Sequence, residues 1–217
     1  MIGFVADNWD LLRSAFLTTL SLSVLSGLLA LVVGTLLAAF RVSPVGPLRG
    51  LATLYVETFR NTPLTVVFFF LVFGLPQIDL VIGSGFVAAV LSLGLYTAAF
   101  VCEAIRSGIN AVPPGQAEAA RALGLDFRQS LGTVVLPQAF RTVVPPLGNV
   151  WIALAKNTSI AAGFGVTELT ASLQRLSNVN ADRLLAVFLA VVIGYLIITL
   201  PSAWGIRVLE RRLAIVR

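Results

Sequence analysis

Three stretches of this chain, Ser14 to Phe40, Leu80 to Cys102 and Leu184 to Ile206, carry no charged residue and are apolar for at least the roughly 20 residues a helix needs to cross a bilayer. A run of that length satisfies its own backbone hydrogen bonds as a helix, which hydrocarbon demands of any segment placed in it. Composition agrees, because a chain of 217 residues that is 58% hydrophobic and 12% charged is too apolar to cover a soluble domain with a polar surface. The expected fold class is therefore an all-α integral membrane protein, in a single domain covering residues 1–217.

Two further apolar stretches are interrupted by charge. Leu51 to Leu75 contains Glu57 and Arg60, and Val143 to Thr167 contains Lys156. Counting both as spans predicts five transmembrane helices, which puts the termini on opposite sides. Arg41 and Arg49 then share a side with Arg106, Arg121, Arg128 and Arg141 and with Arg207, Arg211, Arg212 and Arg217, leaving Arg13, Arg175 and Arg183 opposite. Arginine-rich flanks stay in the cytoplasm, so the N-terminus is expected outside and the C-terminus inside. The first segment, Met1 to Asp10, carries Asp7 and Asp10 where a secretory signal carries positive charge, and the first run is expected to remain as an anchor.

Several chemistries are excluded early. Net charge is +5 and nearly all of it is arginine, which could suit nucleic acid, yet the apolar runs make a membrane flank the better account and no nucleic-acid partner is expected. The chain has no histidine and one cysteine, Cys102, so no metal site, histidine relay or internal disulfide is expected. An integral membrane enzyme would want a nucleophile with its base, and the acids here are scattered. An ion-coupled secondary transporter, the main alternative, would want inverted repeats and acids at mid-depth, and neither is found.

The segment between the third and fourth spans, residues 107–146, is too polar to cross. Pro113-Pro114-Gly115 ends the helix before it, Gln116 to Leu123 reads as a short helix of strong helix formers, and Gly124 supplies a left-handed terminator. Asp126 and Gln129 have capping-box spacing, and Pro137 is expected to close the unit. The product is a helix-turn-helix knob with Leu123, Leu125 and Phe127 near its tip.

That knob reads Glu118-Ala119-Ala120, then Gly124, then Val134-Val135-Leu136-Pro137. It resembles the loop of permeases of ATP-binding-cassette importers, whose form is E-A-A-x3-G-x9-I-x-L-P, with Val134 in place of isoleucine. Tyr55 to Leu64, Gly115 to Ala120 and Lys156-Asn157-Thr158-Ser159 are similar to recurrent phrases of the polar amino-acid branch of those permeases. The resemblance runs from about Thr18 to about Arg212. Val42-Ser43-Pro44, Arg106 to Asn110 and Lys156 to Ala161 look most like permeases of actinobacterial glutamate importers.

The resemblance implies a subunit of a bacterial plasma-membrane importer for glutamate or a related polar amino acid. Its implied partners are a cytoplasmic ATPase dimer, a second permease subunit (identical or related), an extracytoplasmic amino-acid-binding protein and membrane lipid. It implies coupling to the ATPase through Glu118, Ala119, Ala120, Gly124, Leu125, Asp126, Phe127 and Pro137. The chain's only lysine, between Ala155 and Asn157, cannot belong to the G-x4-G-K-[ST] phosphate loop. ATP and magnesium are therefore expected on the partner, with no cofactor and no enzymatic activity here.

Charge inside a membrane segment costs about 2.5 to 3.5 kcal/mol when it faces lipid, so Arg60 and Lys156 are expected to turn inward. With Asn61, Thr62, Asn157, Thr158 and Ser159 they form the candidate substrate pathway, a set of donors suited to a carboxylate. Pro63 is expected to open its helix. Glu57 with Arg60, and Glu103 with Arg106, stand three apart and are expected as structural or gating pairs, while Glu168 is expected at an interface or gate. Glu118 and Arg121 repeat the spacing. Lys156 has no acidic residue within four positions, so its partner must come from elsewhere.

Overall fold

The first uncharged run folds as one long rod. In the computed structural model, which describes residues 2–213, a short helix α1 (Ile2–Asp7) leads into α2 (Trp9–Val42). Met1 and Arg217 lie outside the described residues. Along α2 the buried positions are Ala15, Thr19, Leu22, Ser26, Ala30, Gly34 and Ala38, three or four apart and mostly small. Such a stripe lets another backbone come close, which is how membrane helices gain dispersion contact when lipid offers no hydrophobic drive between them.

The partner is α5 (Gly85–Asn110), which packs parallel along α2, Leu29 meeting Gly94, Gly34 meeting Val101 and Arg41 meeting Glu103 in turn. A methyl group added at Gly34 would stand 2.6 Å from Val101, and one at Gly94 would stand 2.6 Å from Leu29, so hydrogen is the only side chain that fits either crossing. Of the most apolar window of α5, 56% is buried, against 22% for the last helix, α10 (Leu184–Leu213). The centre of the bundle is α5, and α10 lies at its edge.

The second expected span is not a single rod. It consists of α3 (Gly46–Asn61) and α4 (Leu64–Phe69), the latter continuing through a π-helical turn and a 3-10 turn to Ile78, and the two parts meet at an angle of 106°. The break falls at Thr62 and Pro63, both extended. Proline denies its predecessor the helical region and supplies no N–H of its own, so the helix stops at Asn61 as the sequence leads one to expect. Beyond the break, Leu64, Val67, Phe68 and Leu71 pack on Ala89 and Leu93 of α5.

After α5 come α6 (Pro114–Ala122), the short α7 (Phe127–Gln129) and a π-helical stretch that runs straight into α8 (Leu136–Asn157). Pro137 therefore does not close the knob as expected. It stands in the first turn of α8, directly after the π-helical stretch Ser130–Val135, and the chain continues helically past it. A 3-10 segment, Thr158–Phe164, follows α8; then come α9 (Leu169–Val179) and α10.

The expected five spans are met in part. Among the described residues three helices are long and apolar enough to cross a membrane, or four if the bent pair is one crossing. Val143 to Thr167 falls short because Pro145, Pro146, Asn149 and Lys156 dilute it and because α8 gives way to the 3-10 segment after Asn157. The chain is an all-helical membrane protein with three to four candidate spans.

Candidate functional site

Two helix ends meet the same core cluster. Leu64 lies just past the break after α3, and Ala161 lies just past the end of α8; both are buried with Leu22, Phe68, Leu93 and Leu154. Phe164 stacks on Phe68 at 4.8 Å between ring centroids and strengthens the seam. The polar residues expected to form a pathway hang from these two ends.

On the first end, Asn61 turns back to cap its own helix, its amide donating to the Glu57 carbonyl oxygen at 2.8 Å and to the Glu57 carboxylate at 3.3 Å. The Thr62 hydroxyl likewise donates to the Thr58 carbonyl at 2.8 Å. On the second end, Thr158 is fully buried and its hydroxyl donates to the Ala155 carbonyl, so it serves the core rather than an open pathway. Asn157 lines a groove of about 360 Å³ between α5 and α8, with Tyr96, Thr97, Phe100, Asn149 and Ala153 around it. Ser159, half-buried, follows.

Lys156 does not turn into this protomer, and Arg60 does so only at its tip, which approaches Glu103. Both side chains are exposed, and Lys156 makes no ion pair or hydrogen bond among the described residues. The expectation that intramembrane charge faces inward took the single chain as the unit; its physical content is only that charge avoids lipid. An outward-facing lysine then marks a surface that lipid does not cover.

The expected Glu57–Arg60 pair is absent. Arg60 instead approaches Glu103 of α5, Nη1 to Oε2 at 3.9 Å, because the bend at Thr62–Pro63 swings α3 across α5. Glu103 is a hub: Oε2 accepts from Arg106 at 2.8 Å, and Oε1 accepts from Arg41 at the end of α2. The sequence reading missed Arg41. A lone carboxylate inside an uncharged run needs a cation, and Arg41 at the close of the neighbouring run was the signal available. Glu118 and Arg121 do not pair either, as the Arg121 Nε donates to the Ala117 carbonyl.

Glu168 is fully buried and caps α9. Its Oε1 accepts from the Ala171 backbone N–H at 2.9 Å, and its Oε2 accepts from the Tyr195 hydroxyl at 2.6 Å. Tyr195 is joined in turn to Thr170 at 2.9 Å. The Thr19 hydroxyl of α2 accepts from the Leu169 backbone N–H at 3.1 Å. Among the described residues Glu168 has no salt bridge, and burial pushes its carboxyl group above the usual carboxylate range against the opposing bonds from the Tyr195 hydroxyl and the N-terminus of α9.

The knob has the local geometry its residues imply. Gly124 takes φ 84°, and Asp126 and Gln129 form a reciprocal capping box. Ala120 is buried beneath α6, while Glu118 and Ala119 are exposed and Leu125 is half-buried. Leu123 and Phe127 are 82% and 78% exposed, a bare apolar tip. The knob's base is tied down where the Thr142 hydroxyl donates to the Gly108 carbonyl of α5 at 2.9 Å.

The family described as "Binding-protein-dependent transport system inner membrane component" matches residues 30–215. The glutamate transport system permease protein GluC of Corynebacterium glutamicum is 43% identical, with 97% of each chain covered. The probable glutamine ABC transporter permease protein GlnM of Bacillus subtilis is 38% identical over 98% of this chain and 97% of its own. Among solved structures, an amino acid ABC transporter crystallised with histidines superposes with a TM-score of 0.89 at 32% identity, 96% of each chain being covered. The MetNI methionine ABC transporter, inward facing, shares the fold at a TM-score of 0.73 and 21% identity.

Proposed function

Because this chain belongs to the family of binding-protein-dependent transport system inner membrane components, we propose that its α5/α8 face lines the pathway of an importer for glutamate or a closely related polar amino acid. The chain is the multi-pass inner-membrane permease subunit of an ABC amino-acid importer and is not itself the ATPase. A permease of this kind works with an ATPase and a binding protein. The proposal adds that a second permease subunit faces this one across the pathway, that the N-terminus is outside and that the arginine-rich C-terminal end is cytoplasmic.

One observation carries the pathway assignment. Asn157 lines a groove and Lys156, next to it in sequence, is exposed on a largely apolar protein, where a lysine is tolerated only if water or protein replaces lipid. The groove offers amide groups from Asn149 and Asn157 to hold amino and carboxyl groups, with Lys156 beside it to favour an anion. Arg60, Asn61, Thr62, Thr158 and Ser159 complete the proposed pathway segment, Thr158 by holding the end of α8 in place. Glu57 and the hub of Glu103 with Arg106 are proposed to set the position of α3, and Glu168 that of α9. In the proposed cycle the partner's nucleotide state moves the knob, through Glu118, Ala119, Ala120, Gly124, Leu125, Asp126, Phe127 and Pro137, and so shifts the population between outward-open and inward-open states.

Uptake of radiolabelled glutamate into proteoliposomes, with and without ATP, the partner ATPase and the binding protein, tests the reading. Accumulation is expected only with all components present, and Lys156→Ala is expected to reduce it at least tenfold while the complex still assembles. Uptake by this chain alone would overturn the importer reading; normal kinetics in Lys156→Ala would remove that residue from the pathway.

A further inference from the structure

A second groove, of about 490 Å³, lies against a different face of α8 and shares only the wall of Thr97, Val150 and Leu154 with the pathway groove. Its walls include Gly27 and Leu31 of α2, Phe140 and Trp151 of α8, and Gly205 and Leu209 of α10. The indole N–H of Trp151 already donates to the Ser202 hydroxyl at 3.2 Å, and that hydroxyl donates to the Ile198 carbonyl at 2.7 Å, so neither has a donor left to offer a ligand. Hydrocarbon suits such a wall.

The groove opens away from the pathway. On α8, Phe140, Val144 and Trp151 share one face, while Asn149 and Ala153 of the pathway groove fall on the opposite one at 100° per residue. A second permease across the pathway would therefore leave this groove to the membrane.

Charge marks one end. Gly148 of α8 packs directly on Ile206 of α10, which fixes how these antiparallel helices lie against each other. From that crossing, Arg141 is seven residues back along α8 and Arg212 is six residues on along α10, so both stand roughly 10 Å away in the same direction. Arg212 continues the face of Gly205 and Leu209, and Arg141 neighbours Phe140 at the groove wall. Both are exposed, and neither makes an ion pair or side-chain hydrogen bond among the described residues.

We propose that this groove holds one acyl chain of an anionic glycerophospholipid whose phosphate is bound by Arg141 and Arg212. Apolar walls with two unpaired arginines at one mouth match a molecule with a hydrocarbon tail and a negative head, and basic residues at the membrane surface contribute about 1 kcal/mol each toward such lipids. The site lies in the leaflet that the arginine-rich end of α10 faces, the cytoplasmic one in the orientation proposed above. It rests on the membrane-permease reading and on nothing about which amino acid is carried.

The assembled complex, exchanged into nanodiscs of phosphatidylglycerol mixed with phosphatidylcholine and released for native mass spectrometry, provides the test. Retention of phosphatidylglycerol over phosphatidylcholine is expected. Arg141→Ala with Arg212→Ala is expected to weaken that retention roughly thirtyfold, about fivefold per arginine. Gly205→Leu is a second, independent variant: a Cβ added there meets nothing within 4 Å, so the side chain starts in open space and extends into the groove. It is expected to abolish retention with the unfolding temperature unchanged. Equal retention of the two lipids, retention indifferent to both variants, or disulfide cross-linking of Leu209→Cys to a second copy of this chain would each overturn the proposal. None of these outcomes touches ATP-driven uptake, which is the measure of the importer reading.

Discussion

Arg60 reaches Glu103 on α5, at 3.9 Å, and leaves Glu57, one turn back on its own helix, to Asn61. Glu103 thereby gathers three guanidinium groups, from α2, α3 and α5 itself. Removing its charge leaves those groups to repel one another in a partly buried setting. Glu103→Gln is expected to destabilise the permease by on the order of 2 kcal/mol, seen as a lower unfolding temperature in detergent. The partners should rank by burial: Arg41, 13% exposed, matters more than Arg60, 41% exposed, where water screens the pair. Arg41→Ala and Arg60→Ala of equal effect would contradict a hub centred on the α2–α5 contact.

Tyr195 and Glu168 pose a different problem, because a fully buried carboxylate is held by two donors and no cation. Tyr195→Phe keeps the ring and deletes a 2.6 Å bond to a buried carboxyl group, which is expected to cost about 2 kcal/mol. Glu168→Gln keeps an acceptor for the Ala171 N–H in a side chain of the same shape, so it is expected to cost less than Glu168→Ala. Thermal unfolding of the three variants checks the order. A Tyr195→Phe protein as stable as the parent would mean that Glu168 is held by its helix terminus alone.

How far the chain could be read in advance follows from what each feature depends on. The rods at Ser14–Phe40 and Leu184–Ile206 were legible because hydrophobic length is a property of composition. The knob's turn was legible because Gly124, Asp126 and Gln129 act on neighbours within one turn. The partner of Arg60 was not, since Glu57 and Glu103 were equally eligible until the 106° bend decided between them. Pro63 announced a break there but not its angle. Thr158 and Asn157 are adjacent in sequence, yet one is sealed in the core and the other opens on a groove; helical rotation separated them, and no motif distinguishes the two. The fourth expected span is the least legible in composition, because its two prolines and Lys156 dilute its apolar character, yet the segment packs within the bundle.

Close packing of α2 on α5 predicts a steep penalty for small additions. A methyl group at Gly34 would come within 2.6 Å of Val101 and 2.8 Å of the Ala98 carbonyl oxygen, and that backbone atom cannot step aside. Gly34→Ala is expected to destabilise by about 1 to 3 kcal/mol, although alanine is the better helix former. Gly46→Ala, where nothing lies within 4 Å, is the control and should change stability little. The comparison is read from unfolding temperatures of the two variants side by side, and equal stability would show that the two helices are held less tightly than their packing indicates.

Leu123 and Phe127, left bare on either side of the Gly124 turn, predict where the ATPase attaches. Exposed apolar groups on a rigid turn bind by filling pockets on a partner, and such anchors lose about 2 kcal/mol or more on truncation. Leu123→Ser with Phe127→Ser removes them and leaves the Asp126–Gln129 capping box, so the knob itself is expected to persist and the unfolding temperature to stay put. Co-purification of the ATPase is expected to fall at least thirtyfold and ATP-driven uptake to vanish. Gly124→Val acts through the backbone instead: a β-branched residue at φ 84° is strained by about 1 to 3 kcal/mol, so the tip should reshape and attachment weaken although both anchors remain. If the serine variants still held the ATPase and transported normally, the apolar tip would not be the contact, whatever the fate of the valine variant.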